Sequence, residues 1–260
     1  PAMLLRRAFL AFILLTGLQV ATASESGLPQ TLRIGTSGSY PPLSFHQDGK
    51  LAGMEIALAE VVSARLKVKT SLVEIPLDEL IPALNSGKID VIMSGLSITE
   101  ERSRKVLFTD PYMETGQMGI IRIDDLVAWS QPQTLLTKGK KIGVKKGTTG
   151  ERFVDEDLPN AHVVRFDSID AGTDALSNKQ IDIFIHDAPT IWRLTANFAT
   201  EKKGLMGLYR PLTDEFLAWA VRREDGALAN ALNQVLESIK ADGTLSSIKG
   251  KWIPVQVKVR

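Results

Sequence analysis

The run Ser94-Gly95-Leu96-Ser97-Ile98-Thr99-Glu100-Glu101-Arg102-Ser103-Arg104-Lys105-Val106-Leu107-Phe108-Thr109-Asp110-Pro111-Tyr112 decides how the rest of the chain reads. It follows an apolar segment, residues 89–93, that has the composition of a buried strand. Small residues open it, and their backbone N–H and hydroxyl groups are free to donate. Arg102 comes eight residues after Ser94. A guanidinium beside such donors can hold a carboxylate through two parallel hydrogen bonds. The same residues also fit a surface helix start, with Ser and Thr as caps. Residues 106–112 read as a short strand ending at a proline turn.

Outward from this run the chain alternates between strand and helix. Toward the N-terminus the pattern predicts a strand at 31–36 and a hairpin at 43–53 turning at Gln47-Asp48-Gly49-Lys50. A helix at 54–66 and a strand at 68–75 follow. The next helix starts near Pro76, with Asp78 as its expected N-cap, and ends at Gly87. Toward the C-terminus the grammar recurs, with strands at 141–144, 161–166 and 181–185 and helices near 150 and at 168–177. A helix at 189–199, a strand at 217–221 and helices at 226–241 and 244–252 complete it. This order implies parallel sheets covered by helices on both faces.

Two internal echoes suggest a duplicated plan. Residues 83–95 align without gaps on residues 175–187, pairing Ile89-Asp90 with Ile181-Asp182. Arg33-Ile34-Gly35-Thr36 likewise echoes Lys141-Ile142-Gly143-Val144. Ligands of open α/β sheets bind beyond the carboxyl ends of the strands. Those ends collect Ser37 to Tyr40, Ser94 to Ser97, Gly147 to Thr149, and His186 with Asp187. The set is small and polar, with one cation (Arg102), one anion (Asp187) and an aromatic wall, and it suits a small zwitterion.

The central run resembles the family 3 periplasmic solute-binding proteins, the polar amino-acid receptors of ABC importers. Their pattern is S-x-x-S-I-T-x-x-R followed by an apolar F-[ST]-x-P-Y segment. Ala241-Asp242-Gly243-Thr244-Leu245 and Lys251-Trp252 resemble the family's C-terminal D-G-T…KW pattern, so the likeness spans residues 30–253. It implies an α/β, two-lobed, type II periplasmic-binding-protein-like fold, each lobe a mostly parallel sheet flanked by helices. Lobe 1 would comprise residues 24–115 and a return segment, 214–260, and lobe 2 residues 116–213.

The resemblance also implies roles. Arg102 binds the ligand α-carboxylate, helped by Ser97 and by Thr148 and Thr149 at a helix start. Asp187 accepts from the α-ammonium. Ser94, Gly95 and Leu77 line the pocket, and Tyr40 stacks on the ligand side chain. Each has a plainer reading. Asp187 fits the N-cap of a helix opening Ala188-Pro189, Thr148 and Thr149 fit caps, and Tyr40 beside two prolines fits loop packing. His186 alternates away from Asp187 along its strand and reads as structural. The chain departs from the family at Ser37, where many amino-acid receptors carry an acid, and at Glu55-Ile56-Ala57-Leu58, where D-I-D-L is usual. The departures leave room for a related small carboxylate as ligand.

Composition bounds the function. Of 260 residues, 44% are hydrophobic and 23% charged, ordinary values for one or two globular domains. Arg6-Arg7, the apolar run 8–21 and Ala21-Thr22-Ala23 read as a secretory signal peptide over residues 1–23. Removing Arg6 and Arg7 from the 31 basic residues leaves 29 against 30 acidic ones, which argues against a nucleic-acid partner. The chain has no cysteine, so neither a disulfide nor a lipid-anchor thiol is available. The expectation is a soluble periplasmic monomer that needs no cofactor and docks on an inner-membrane ABC permease. His46, His162 and His186 lack metal-ligand spacing. The chain stops soon after its last helix, with no kinase, cyclase or transglycosylase expected. The competing readings are a cyclohexadienyl dehydratase-like enzyme, with Asp187, His186 or Glu151 as candidate acid, and a ligand carrier for a sensor kinase.

Overall fold

A computed structural model describes residues 28–196, 204–208 and 210–253. The expected signal peptide and the end of the helix expected at 189–199 lie outside the described residues.

Two five-stranded sheets are built to one plan. In the first, β1 (Thr31–Thr36) lies between β5 (Lys69–Glu74) and β6 (Val91–Ile92), parallel to both. Then β15 (Ala220–Val221) and β7 (Leu107–Phe108) continue the sheet antiparallel. In the second, β10 (Lys141–Lys145) lies parallel between β11 (His162–Phe166) and β12 (Ile183–Asp187). There β9 (Gln117–Arg122) and β13 (Leu205–Gly207) supply the antiparallel side.

The two sequence echoes have a common physical cause. Arg33 N–H donates to the Asp90 carboxylate at 3.0 Å, and Asp90 N–H returns to the Arg33 carbonyl at 2.8 Å. Lys141 N–H donates to Asp182 at 2.8 Å, and Asp182 N–H returns to the Lys141 carbonyl at 2.8 Å. Each aspartate thus clips the strand it precedes to the strand that lies between the two parallel neighbours of its sheet. The glycines of the echo are equally constrained. A Cβ at Gly35 would sit 2.2 Å from Ile89, and one at Gly143 2.4 Å from Ile181. Each isoleucine fills the gap its glycine leaves.

Apolar clusters cover both faces of each sheet. Helix α1 (Met54–Leu66) buries Met54, Leu58, Ala59 and Val62 against Leu32, Ile34 and Val91. Helix α7 (Gly226–Ala241) adds Leu232, Leu236 and Ile239 to the same cluster. On the opposite face, α2 (Leu80–Asn85) packs Leu80 and Leu84 on Ile89 and Ile92. Asp78 is not a cap: it sits inside a 3-10 turn, Leu77–Glu79, and no side chain caps the helix. The hairpin is as expected, with strands β3 (Ser44–Gln47) and β4 (Lys50–Ala52) and positive φ at Asp48 and Gly49.

Two crossing strands join the sheets. β8 (Met113–Thr115) pairs antiparallel with β14 (Glu215–Leu217), so outward and return paths run side by side. Gly116 is required beside them, since a Cβ there would sit 1.8 Å from the Thr213 carbonyl oxygen.

Glu55 ties the first sheet together. Its side chain is fully buried and accepts three hydrogen bonds: Gly95 N–H at 2.7 Å, the Tyr112 hydroxyl at 2.5 Å and Trp219 Nε1–H at 3.0 Å. Burial pushes its carboxyl above the usual range, and the three donors pull the other way. The departure noted in the sequence is therefore a core strut that fixes the loop after β6. Glu55→Gln places an NH2 group against a donor and should destabilise the protein by about 2 kcal/mol. Urea unfolding checks this; a loss below about 0.5 kcal/mol would mean that the carboxylate is not the strut.

Candidate functional site

The carboxyl ends of β1, β6, β10 and β12 converge on one cleft between the sheets. Of the residues expected there, Tyr40, Leu77, Gly95, Ser97, Arg102, Thr148, Thr149 and Asp187 all line it. Ser94 does not. Its buried hydroxyl stands behind the wall and accepts from Ser37 N–H at 2.9 Å, holding the two loops together. Gly95 must be glycine on two counts. Its φ is +67°, and a Cβ there would meet the Tyr40 ring at 2.5 Å.

Arg102 is carried on α3 (Glu100–Ser103), whose N-cap Thr99 accepts from Arg102 N–H at 3.1 Å. Its guanidinium folds back over the cleft, with Nη1 donating to the Ser97 carbonyl at 3.0 Å. It forms no salt bridge among the described residues. Burial works against its charge, while Asp187 and Glu215 support it. Arg104 and Lys105 behave differently, being exposed and paired with Glu100 and Glu101 one turn earlier.

Asp187 occupies the N-cap position of α6 (Ala188–Thr195), yet its side chain makes no capping hydrogen bond. It turns into the cleft instead, where Gln117 Nε2–H donates to it. The carboxylate is 6% exposed, and burial raises its pKa against the pull of Tyr40, Gln117, Arg102 and Lys145. Among the described residues it has no cationic partner within hydrogen-bonding distance.

Thr148 is a cap: its hydroxyl accepts from Glu151 N–H at 3.3 Å and donates to the Lys145 carbonyl at 2.7 Å. Thr149 opens α4 (Thr149–Asp157), where first-turn N–H groups lack helical partners and favour anions. Its hydroxyl donates to Glu215 at 2.8 Å and accepts from Gln117 Nε2–H at 3.0 Å.

Three residues at or beside the cleft, Gln117, Glu215 and Lys145, carry no signal in the sequence, and a fourth, His186, reads there as structural. Gln117 is wholly buried, and its amide nitrogen also lies 2.8 Å from Glu215, so that its two hydrogens are shared among Asp187, Thr149 and Glu215. Glu215 accepts from Thr213 as well, at 3.0 Å, so this carboxylate is satisfied at the crossing strands. Lys145, 7% exposed, lines the cleft and donates across it to the Ser39 carbonyl at 3.0 Å and hydroxyl at 3.1 Å. His186, expected to be structural, also lines the cleft, because the strand ends there and both it and Asp187 border the space. Its ring stacks on Phe184 and meets the Tyr40 ring edge at 5.6 Å between centroids.

Further contacts bridge the halves. The Thr190 hydroxyl donates to the Pro41 carbonyl at 2.6 Å, and the Arg193 guanidinium lies 4.7 Å over the Phe45 ring. Trp192 packs against the cores of both sheets. The two halves thus meet over the cleft, where Asp187, Lys145 and His186 are buried while Arg102, Thr148 and Thr149 at its rim are half-buried.

A sequence model of the bacterial extracellular solute-binding proteins, family 3, matches residues 32–255. The chain belongs to that family. The histidine-binding periplasmic protein of Escherichia coli is 32% identical over 97% of this chain and 99% of its own. The L-arginine-binding protein of Pseudomonas aeruginosa is 31% identical over 95% and 97%. Among solved structures, a putative ABC-transporter binding component of Wolinella succinogenes complexed with lysine superposes with a TM-score of 0.82 at 29% identity, covering 89% and 98%. An ancestral amino acid-binding protein described as a precursor of cyclohexadienyl dehydratase gives 0.77 at 34%, covering 86% and 95%. The two-lobed α/β fold expected from the sequence is shared with these proteins.

Burial holds the His186 pKa down at about 3, with the Lys145 charge adding to the effect. Its Nδ1 accepts from Asp187 N–H at 2.7 Å, so the single proton of the neutral ring resides on Nε2. In an NMR titration of the ligand-free protein, the His186 ring should stay neutral from about pH 7.5 to about pH 4.5. Titration near the ordinary value of about 6.5 would contradict the closed, water-poor cleft.

Proposed function

We propose that this protein is the periplasmic receptor of an ABC importer, capturing an amino acid or related small carboxylate in the cleft and presenting it to an inner-membrane permease. One observation carries the reading. Arg102 and Asp187 line the same closed cleft, yet neither has an ionic partner. A charge out of water is costly unless paired, and a zwitterion supplies both missing partners at once. The α-carboxylate goes to Arg102, beside the Ser97 and Thr149 hydroxyls and the N-terminal turn of α4. The α-ammonium goes to Asp187. Tyr40 and Leu77 form the apolar walls. The relatives' names support an amino acid as the ligand class.

Residues 24–115 with 214–260 would move as one lobe and 116–213 as the other, hinged on the paired crossing strands. A few residues at element ends suffice to absorb such a rotation. The mature, exported form would begin near Ser24 and act as a monomer without nucleic-acid partners.

Binding without turnover is the favoured reading over a dehydratase. Glu151 is engaged by Gly147 N–H and by Arg165, and His186 is neutral, so neither is poised as a strong acid. Asp187 is the acceptor an ammonium needs. Sustained turnover of prephenate by the purified protein would overturn this part of the reading.

Removing one partner of a desolvated ion pair costs about 2–5 kcal/mol. Arg102→Ala should therefore weaken ligand binding by roughly thirtyfold or more, at about 1.4 kcal/mol per factor of ten. Arg102→Lys should recover only part, because an ammonium cannot form the two-pronged contact. Arg104→Ala and Lys105→Ala serve as solvated controls and should bind nearly normally. Calorimetry of the folded variants decides; binding within about threefold of wild type for Arg102→Ala would remove the carboxylate clamp. Small-angle scattering of the ligand-saturated protein should give the radius of gyration of this closed structure. A larger radius at saturation would contradict closure of the hinge on the ligand.

A further inference from the structure

The cleft holds one acid and one base more than a simple zwitterion pairs. Its acidic and basic side chains are Arg102 and Lys145 against Asp187 and Glu215. Arg102 and Asp187 are taken by the α-carboxylate and α-ammonium of the reading above, on which this inference rests. Glu215 is satisfied by Gln117, Thr149 and Thr213. Lys145 is left over. It is more than nine-tenths buried, and its ammonium has only the neutral carbonyl and hydroxyl of Ser39 for partners. Among the described residues it forms no ion pair. The adjoining wall is formed by Ser37, Tyr40 and His186; the neighbouring Asp187 supports the Lys145 charge through space but makes no hydrogen bond or ion pair with it.

A second group points the same way. His186 is buried and neutral, and its Nε2 has no hydrogen-bond partner. With Nδ1 already accepting from Asp187 N–H, Nε2 is the nitrogen that carries the hydrogen. A buried donor without an acceptor is costly, as is a buried ammonium without an anion. Both lie around Tyr40: Lys145 through Ser39, the residue before it, and His186 through ring contact. Both are acceptor-seeking, and the described residues supply neither an acceptor for His186 Nε2 nor an anion in contact with Lys145.

We propose that the ligand carries a second carboxylate at the end of its side chain, received by Lys145 Nζ and His186 Nε2–H, so that the preferred substrates are acidic amino acids. Such a ligand completes the pairing of the cleft: two carboxylates for Arg102 and Lys145, one ammonium for Asp187. A side chain ending in a guanidinium or ammonium would instead bring like charge against a buried Lys145, which is unfavourable. The preference would differ from those named for the histidine-, arginine- and lysine-binding relatives.

Calorimetry with L-glutamate, L-aspartate, L-glutamine, L-arginine and L-histidine tests this. Glutamate and glutamine are nearly isosteric and differ in the distal charge. An acidic amino acid should bind tightest, with glutamate ahead of glutamine by roughly thirtyfold or more. Lys145→Met should collapse that ratio toward one. Lys145→Gln, which keeps a donor for Ser39, should collapse it as well and stands in should the methionine variant fail to fold. A lysine that only latches the two halves through Ser39 would leave the ratio unchanged. That result, or arginine, histidine or glutamine binding tightest, overturns the distal anion while leaving the amino-acid receptor intact. If none of the five binds, succinate and glutarate, which lack the ammonium, are run in the same way. Their binding to wild type, lost in Lys145→Gln, keeps the distal anion and discards the α-amino reading. Failure of every probe overturns both.

Discussion

The fold places charges in a cleft that it then closes to water, and most of the site's local structure serves to make that tolerable. Asp187 is the clearest case. It stands at a helix N-cap, where a carboxylate would normally accept from the first-turn amides. Here it declines that role and faces the cleft, where the Gln117 amide donates to it. The same amide reaches Thr149 and Glu215. A single buried side chain therefore links the strand end bearing Asp187, the helix start bearing Thr149 and the return crossing bearing Glu215. Movement of the crossing strands is felt at the site through this node, because an amide surrounded by acceptors has little freedom to reorient.

The opposite wall is held by a different device. Gly95 is fixed from behind by Glu55 and from the side by Tyr40, whose ring leaves no room for a Cβ. Glu55 also anchors Tyr112, just before the outward crossing, and Trp219, just after the return strand. Thus a carboxylate that never meets the ligand couples the loop at the cleft to both connections between the halves.

Much of this plan is legible in the sequence, because its causes are local or repeated. The alignment of residues 83–95 with 175–187 reflects one structural solution used twice: an aspartate clips a strand, an isoleucine fills the gap over a glycine, and the next residues emerge at the cleft. That is why Ser94-Gly95 and His186-Asp187 occupy equivalent places. Arg102 is legible through its spacing from Ser94 and its Thr99 cap. The missed residues lack any such local pattern. Gln117 meets Glu215 across 98 positions and Asp187 across 70, and Lys145 meets Ser39 across 106. Each opens or closes a strand whose composition looks ordinary. Strict alternation would turn His186 away from the cleft, but it does not hold where a strand ends; Ser94, at another strand end, serves the loop behind the pocket. At Asp78 a 3-10 turn stands where the sequence pattern predicts a cap.

The account turns on the orientation in which a ligand fills the space between Arg102 and Asp187. A co-crystal structure of the mature protein with its tightest amino-acid ligand measures this directly. The account predicts the α-carboxylate paired with the Arg102 guanidinium beside Ser97 and Thr149, and the α-ammonium on Asp187. A ligand bound in the reverse orientation, or seated outside this cleft, would contradict it.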